Sequence, residues 1–357
     1  MSHFDAIVIG GGLAGLAACV LLEEQNLSAC LIEARGDLGG RVRSFTDPDG
    51  GFAGDAGPSW VWPGYQPTVA RWLKRLDLPI FEQYTQGSGL LDYGPQREVE
   101  ARMLPHQAGS YRLEGGTARL VAAMADQLSR TQVILNTPVT SSAVDGNGVT
   151  VTTSDSTHDA PRVLVAMPPR LAARLRWTPA LPAALKQDLT SVPTWMASQA
   201  KVVLRYDRPF WRDKGLSGRV LSQAGPCGEI HDLCDPGSKQ GILFGFLNWP
   251  VEMRQLRADA LKHAVLDQLT RCFGPKAEAV RGLEIFDWAQ EPFTTDALDL
   301  EGPFRHPDPP PRRLQNVQCD GRVMFACAEC SSQSPGLIDG ALDAAEQAVA
   351  RLLAHRL

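Results

Sequence analysis

Residues 6–33 read Ala-Ile-Val-Ile-Gly-Gly-Gly-Leu-Ala-Gly-Leu-Ala-Ala-Cys-Val-Leu-Leu-Glu-Glu-Gln-Asn-Leu-Ser-Ala-Cys-Leu-Ile-Glu. Ala6–Ile9 is a short apolar run rich in β-branched residues and predicts a buried strand. Leu13–Leu22 is rich in Ala and Leu, has no proline, and predicts a helix. Ala29–Ile32 predicts a second buried strand. Strand, glycine turn, helix and strand form one βαβ unit, which requires a parallel sheet, so the fold class is α/β and Rossmann-like. The spelling Gly10-x-Gly12-x-x-Gly15 is common in isolation, but here it follows a strand and opens a helix. Gly10 makes the tight turn, Gly12 lets the backbone approach a pyrophosphate, and Gly15 lets helix and strand pack closely. Leu13 and Ala14 lie at the helix N-terminus, whose unpaired N–H groups and partial positive charge suit phosphates. Glu33 ends the second strand, ahead of Ala34 and Arg35; its carboxylate suits the hydroxyls of an adenosine ribose and repels a 2′-phosphate. These residues predict a dinucleotide site without deciding between NAD and FAD.

Working outward, Asp47–Gly51 is a strong turn signal, and Pro67–Leu78 predicts a helix with Val69, Trp72, Leu73 and Leu76 on one face. Gly115-Gly116 precedes a predicted helix at Leu120–Leu128. Asp145–Gly148 with the alternation that follows predicts a β-hairpin, and Val163–Ala166 a buried strand stopped by Pro168-Pro169. Between Leu171 and Arg313 the pattern mixes strands with one clear helix, Met253–Phe273. Pro307–Pro311 reads as an extended loop, Val323–Ala326 as a last strand and Ile338–Leu353 as a closing helix. The dinucleotide-type pattern thus occupies both ends of the chain, with a different region between them.

The 357 residues suffice for about two domains, and 44% hydrophobic with 21% charged residues is an ordinary globular balance. A net charge of −5 without a basic run argues against a nucleic-acid partner. No stretch is long and apolar enough for a membrane span, and Met1–Asp5 lacks the layout of a secretory leader. Eight irregularly spaced cysteines give no disulfide framework, so a reducing cytoplasm is the expected compartment. The seven histidines are scattered, and no metal site is expected.

Six residues beyond Glu33 comes Gly39-Gly40-Arg41, followed by Asp55-Ala56-Gly57-Pro58-Ser59-Trp60. Here the chain resembles the flavin-containing amine oxidoreductase family, which includes monoamine, amino-acid and polyamine oxidases. The resemblance recurs at Leu113–Gly116, Asn136–Val139, Val165–Pro169, Lys201–Leu204 through Pro209–Trp211, Trp288 with Glu291–Thr295, and Phe325–Glu329 with Gly336–Ala341. It implies non-covalent FAD held by a Rossmann-like FAD-binding domain (1–60, 110–170 and 318–357), with an interleaved α+β substrate domain (61–109 and 171–317). By resemblance, Gly39, Gly40 and Arg41 meet the pyrophosphate, where a cation beside a diphosphate is physically reasonable. Gly57, Pro58 and Ser59 lie beside the redox ring, the Val139 backbone meets the adenine, and Trp288 belongs to a further flavin block. Glu329 contacts the ribityl or phosphate region, and the helix begun by Leu337, Ile338 and Ala341 aims its N-terminus at the pyrimidine edge of the ring. Lys201 is the expected catalytic lysine, near flavin N5. Trp60 is expected on the ring or on the wall of the substrate cavity, with Trp195, Trp211 and Trp249 in blocks around it.

The chain departs from the family pattern in three places. Aligned from Trp288, the covalent anchor and first aromatic position fall near Ala297 and Leu298, and the second aromatic position on Leu337, so no aromatic pair for an amine is expected. Cys327 stands where the family usually has glycine. The segment from Trp60 to Gly115 is short, as in renalase-like proteins. The expected activity is hydride transfer from an amine or related small molecule to FAD, with oxygen or another acceptor completing the cycle. Renalase-like oxidation of reduced nicotinamides, desaturase-like C–C oxidation, and a flavin-binding accessory or redox-sensing role remain alternatives.

Overall fold

The computed structural model describes residues 4–301 and 305–355; Met1–His3, part of the N-terminus read above, lie outside them. Five parallel strands form one sheet in the order Val323–Phe325, Val163–Val165, Ala6–Ile9, Ala29–Ile32 and Gln132–Ile134. All residues of the middle three and of Val323–Phe325 are buried, because the sheet is covered on both faces. One face carries the helices Leu13–Glu24, Pro67–Arg75, Ala118–Ala125 and Ile338–Ala354. The other carries a four-stranded sheet (Thr157–Ala160, Val149–Thr153, Val139–Val144, Arg176–Thr178) and the helices Pro169–Arg174 and Ala183–Ser191.

A seven-stranded mixed sheet forms the second layer system, in the order Gly282–Asp287, Ala200–Tyr206, Gly241–Leu247, Cys227–Asp232, Leu216–Ser222, Ser88–Asp92 and Glu100–Arg102. Its period-2 alternation splits into two apolar faces. Val202, Leu204, Leu243 and Leu247 pack with the helix Ala258–Phe273, and Val203, Ile242 and Phe244 turn the other way, toward Trp60 and Phe246. That second face meets the dinucleotide-type unit, and the candidate site lies between the two.

Several elements differ from the sequence expectation. The single helix Met253–Phe273 is two, Val251–Leu256 and Ala258–Phe273, broken at Arg257 with φ −129° and ψ 39°. The first piece is tied down by buried Arg254, which forks onto Asp287 at 2.9 and 2.8 Å and donates to the carbonyls of Trp249 and Ser198. The middle region also holds Ala183–Ser191, a helix the pattern did not indicate. Pro168-Pro169 does more than stop a strand: it supplies the N-cap and first residue of a helix, where a missing N–H is harmless. The helix Pro67–Arg75 ends before Leu78, since Asp77 takes φ 51°, and the third helix is shifted to Ala118–Ala125. Pro67–Arg75 packs against Ile338–Ala354 in the first core, and strand Arg176–Thr178 pairs with Ser141–Ala143, although the sequence reading placed both segments on the substrate side. Among the described residues no helix is long and apolar enough to cross a membrane.

The first helix is fastened to the sheet by Glu23. Its carboxylate accepts hydrogen bonds of 2.8–3.0 Å from the backbone N–H groups of Ser129, Arg130 and Thr131 and from the Ser129 and Thr131 hydroxyls, just before the edge strand Gln132–Ile134. Partial burial raises the carboxyl pKa, but these donors outweigh it and pull it down from 4.5 to about 2. A depressed acid stabilises the fold above its unfolded value near 4.5 and loses that contribution as the pH falls toward about 2. Discounted for solvent, the clamp contributes about 1 kcal/mol. Glu23→Ala should therefore lower the melting temperature by about 2 °C at neutral pH, and the gap from the parent protein should narrow in melts near pH 3.

Candidate active site

The glycine turn shows which of its positions are structural and which face open space. A Cβ on Gly15 would lie 1.9 Å from the Gly10 carbonyl oxygen, and one on Gly10, which has φ +106°, would lie 2.6 Å from that of Ala166. These glycines press helix and strand together. At Gly12 a Cβ would meet nothing closer than 3.8 Å, and the backbone there is extended (φ −73°, ψ −179°). The helix it opens has no side-chain cap and no acid in its first turn. Uncapped N–H groups facing free space fit an anionic diphosphate. Gly39 and Gly40 follow alongside with φ +114° and +59°, and a Cβ on Gly40 would sit 3.1 Å from the Gly12 Cα.

Glu33 is buried, and both its oxygens are already oriented by backbone, accepting from Gly11 N–H at 2.6 Å and Arg35 N–H at 2.8 Å. The carboxylate is thereby fixed at the end of its strand. Arg35 points away toward Glu291 and Thr294, with Nε and Nη2 bonds of 2.9 and 2.7 Å. Arg41 forks onto Glu329 at 2.6 and 2.7 Å, and Glu329 also accepts from the Trp195 N–H at 3.0 Å. Burial opposes both charges, yet the pairing wins: it holds the Glu329 carboxyl below its usual range and the Arg41 guanidinium above its own. Glu329 has no exposed surface and does not line the cavity. Its place is behind Arg41, not against a ligand as the resemblance implied.

One cavity of about 580 Å³, within the range of ligand pockets, gathers nearly all the sequence-derived candidates. Gly10, Gly12, Leu13, Ala14, Glu33, Ala34, Arg35, Gly39, Gly40 and Arg41 line it, as do Gly57, Pro58, Ser59, Trp60, Val139, Lys201, Trp288, Leu337, Ile338 and Ala341. Gly15 and Glu329 stand just behind its wall. Trp288 is held by its indole N–H on the Ala56 carbonyl at 3.0 Å. Of the other tryptophans in the matching blocks, Trp195 lines the cavity, while Trp211 and Trp249 pack into the far face of the seven-stranded sheet. Ala297 and Leu298 do not line it, and Leu298 is exposed. Aromatic rings still face the cavity, from Trp60, Trp62, Tyr65, Trp195, Phe246 and Phe293. Phe246 and Trp62 were missed; the alternation in Gly241–Leu247 is the signal that would have drawn out Phe246.

Lys201 is on the cavity wall and nine-tenths buried or more. Its Nζ donates to the Gly57 carbonyl at 2.8 Å and the Ser59 hydroxyl at 2.7 Å, and sits 4.1 Å from the centre of the Phe244 ring. Burial pulls its pKa from 10.5 down to about 7; Asp55 pushes back and Arg112 adds to the fall. A neutral amine has two N–H groups, which these two acceptors can use, leaving its lone pair free. Trp60 stands beside it, with its indole N–H on Gln83 at 2.7 Å and edge contacts to His231 and Phe244. Cys327 and Cys330 are buried free thiols with sulfurs 3.7 Å apart.

An uncapped nucleotide cradle, a shared apolar cavity and a buried lysine of shifted pKa define a dinucleotide-dependent oxidoreductase. The family model for flavin containing amine oxidoreductase matches residues 98–353, and that for an NAD(P)-binding Rossmann-like domain matches residues 8–76. The chain belongs to the flavin-containing amine oxidoreductases and is a FAD-dependent oxidoreductase. It is 29% identical to an L-amino acid dehydrogenase of Synechocystis sp., covering 99% of this chain and 95% of that one, and 29% identical to a putrescine oxidase of Kocuria rosea, covering 98% and 95%. A cyclohexylamine oxidase structure from Brevibacterium oxydans shares the fold with a TM-score of 0.83 at 20% identity, over 98% of each chain.

The cradle separates two glycine effects. Gly12→Ala fits sterically and should melt like the parent apoprotein, while its methyl fills the phosphate approach and lowers FAD affinity about tenfold or more. Gly15→Ala should give no folded protein. Fluorescence titration of FAD against apoprotein, with melts of both variants, checks the pair.

Proposed function

We propose that the chain oxidises an amine at its C–N bond, with the cofactor held across residues 1–60, 110–170 and 318–357 and the donor bound against the face of the seven-stranded sheet. FAD, when bound, supplies the two-electron acceptor for a hydride from the donor carbon. Gly12, Leu13 and Ala14 would offer backbone N–H groups to the diphosphate, Glu33 its remaining lone pairs to the ribose, and Arg41 its charge, aligned by Glu329. The N-terminus of the helix starting at Ile338 would place partial positive charge where the reduced ring gathers negative charge.

The observation that carries the reading is the buried Lys201 on the same cavity as the cradle. A donor that arrives as an ammonium must give up one nitrogen proton before hydride can leave the carbon, so that the nitrogen lone pair can form the iminium. With both Nζ N–H groups engaged by Gly57 and Ser59, a neutral Lys201 would keep its lone pair uncommitted and able to accept that proton, directly or through one water. The Phe244 face favours the protonated state once formed and so keeps the two states close in energy near neutrality. Trp60, Trp195 and Phe246 exclude water and present ring faces to a cationic or newly neutral nitrogen. The names of the relatives, an amino-acid dehydrogenase and a putrescine oxidase, support a C–N donor and allow either oxygen or another acceptor. We place oxygen first.

Two measurements test this. In anaerobic mixing, amines or amino acids should bleach the flavin faster than reduced nicotinamides; bleaching by the nicotinamides alone overturns the amine reading, and bleaching by no donor turns it into a flavin-binding role without turnover. The reduction rate at saturating donor should rise through about pH 7 as Lys201 loses its proton. In Lys201→Met that limb should vanish and the rate fall about 100-fold, whereas an unchanged profile removes the lysine from the reaction.

A further inference from the structure

Two arginines of the dinucleotide-type unit line the cavity, and each is held by a carboxylate from a distant part of the chain. Arg41 and Glu329 form the deep pair. Arg35 and Glu291 form a second at the rim, where their side chains are 12% and 23% exposed. Arg35 Nε donates to the Glu291 carboxylate at 2.9 Å and Nη2 to the Thr294 hydroxyl at 2.7 Å, across 256 and 259 residues. The guanidinium also lies 5.9 Å from the centre of the Phe293 ring. Thr294 is buried, but Phe293 lines the cavity while 40% of it meets solvent, so the wall there is a single side chain thick.

The segment that carries these acceptors is pinned on either side. Before it, the Trp288 indole N–H donates to the Ala56 carbonyl at 3.0 Å. After it, Asp296 and Asp299 cap a short helical turn; Asp299 accepts from Arg170 at 2.6 Å and from the Thr194 N–H at 2.9 Å, and Asp296 meets Arg174 at 2.5 Å. Between the pins Glu291–Thr295 folds on itself, with the Thr294 and Thr295 N–H groups on the Glu291 carbonyl at 3.0 and 2.9 Å. Among the described residues, Arg35 makes every hydrogen bond that ties Glu291–Thr295 to the dinucleotide-type unit. The segment is thus a strap fixed at both ends and fastened in the middle by one side chain. It fastens where the Arg35 carbonyl accepts from the Asn136 N–H and the Glu33 carbonyl from the Thr137 N–H, at the end of the cavity lined by Glu33, Thr137 and Val139. That is the end where the adenosine would lie.

We propose that Glu291 is a positioning residue of the cofactor site: through Arg35 it draws this strap shut over the adenosine end of FAD, and the cofactor enters and leaves when the clasp opens. The pair uses no atom of the cofactor, so it stands in the free and in the loaded protein alike and is broken only during passage. Partial exposure makes that breakage easier than at the deep pair, because water replaces each rim contact as it parts, whereas Glu329, with no exposed surface, would be left uncompensated. With its donors engaged on the strap, Arg35 serves FAD by closing the site and not by pairing with the diphosphate.

The test follows FAD in both directions, by its fluorescence on mixing with apoprotein and by its release from holoenzyme into an excess of a second FAD-binding apoprotein. Glu291→Gln should raise the association and dissociation rates together, each about tenfold, the factor for losing one charge-assisted hydrogen bond from both end states but not from the passage between them. The equilibrium affinity should then stay within about threefold of the parent. Glu291→Asp should restore part of the slow exchange, and Thr294→Val should show the same paired rise to a smaller extent. Faster release with unchanged association would make Glu291 a support of bound FAD and overturn the clasp; unchanged rates in both directions would overturn it as well. Should Glu291→Gln fail to fold, Thr294→Val decides by the same split between the two rates.

Discussion

A buried ion pair joins the two ends of the chain. Arg41 comes from the glycine loop after the second strand and Glu329 from the turn after the last one, 288 residues apart, and their forked contact is closed over by the Trp195 backbone. Removing two charges from water costs several kcal/mol for each, and only short paired bonds with the remaining lone pairs satisfied can offset it. Here the geometry meets that demand, with Arg41 also donating to the Trp195 carbonyl at 3.2 Å. The pair is thus weak evidence for stability and strong evidence for registry: if Glu329 moved, the guanidinium on the cavity wall would lose its direction. The segment at Trp195 leads directly into the strand that bears Lys201, so one contact aligns the nucleotide cradle with the face of the second sheet.

Lys201 depends on that alignment. Its two acceptors, Gly57 and Ser59, belong to the dinucleotide-type unit, while its backbone belongs to the other sheet. The lysine therefore bridges the two halves on the wall of the cavity they share. A buried ammonium without such partners would be expelled or neutralised. With them, it is poised near neutrality. Asp55 and Arg112, which act on its charge from behind, are themselves fixed: Asp55 accepts from Ser44 and Thr117, and Arg112 donates to the carbonyls of Leu233 and Cys234.

The parts legible in the sequence are those written locally. Strand, glycine turn, helix and acid lie within 28 residues, and every step has a steric or dipolar reason that any relative must obey. The hairpin at Asp145–Gly148 and the proline-bounded strands are legible for the same reason. What escaped depends on long-range pairing. Phe246 joins Lys201 only through the register of two strands, so the alternation in Gly241–Leu247 marks a pair of faces without saying which of them meets the cavity. The short helix before Arg257 was not set apart in the sequence because the contact that holds it, Arg254 with Asp287, spans 33 residues. Glu329 was found by resemblance but with a ligand-facing role, since a motif shows which residue is present and not which partner has taken its oxygens.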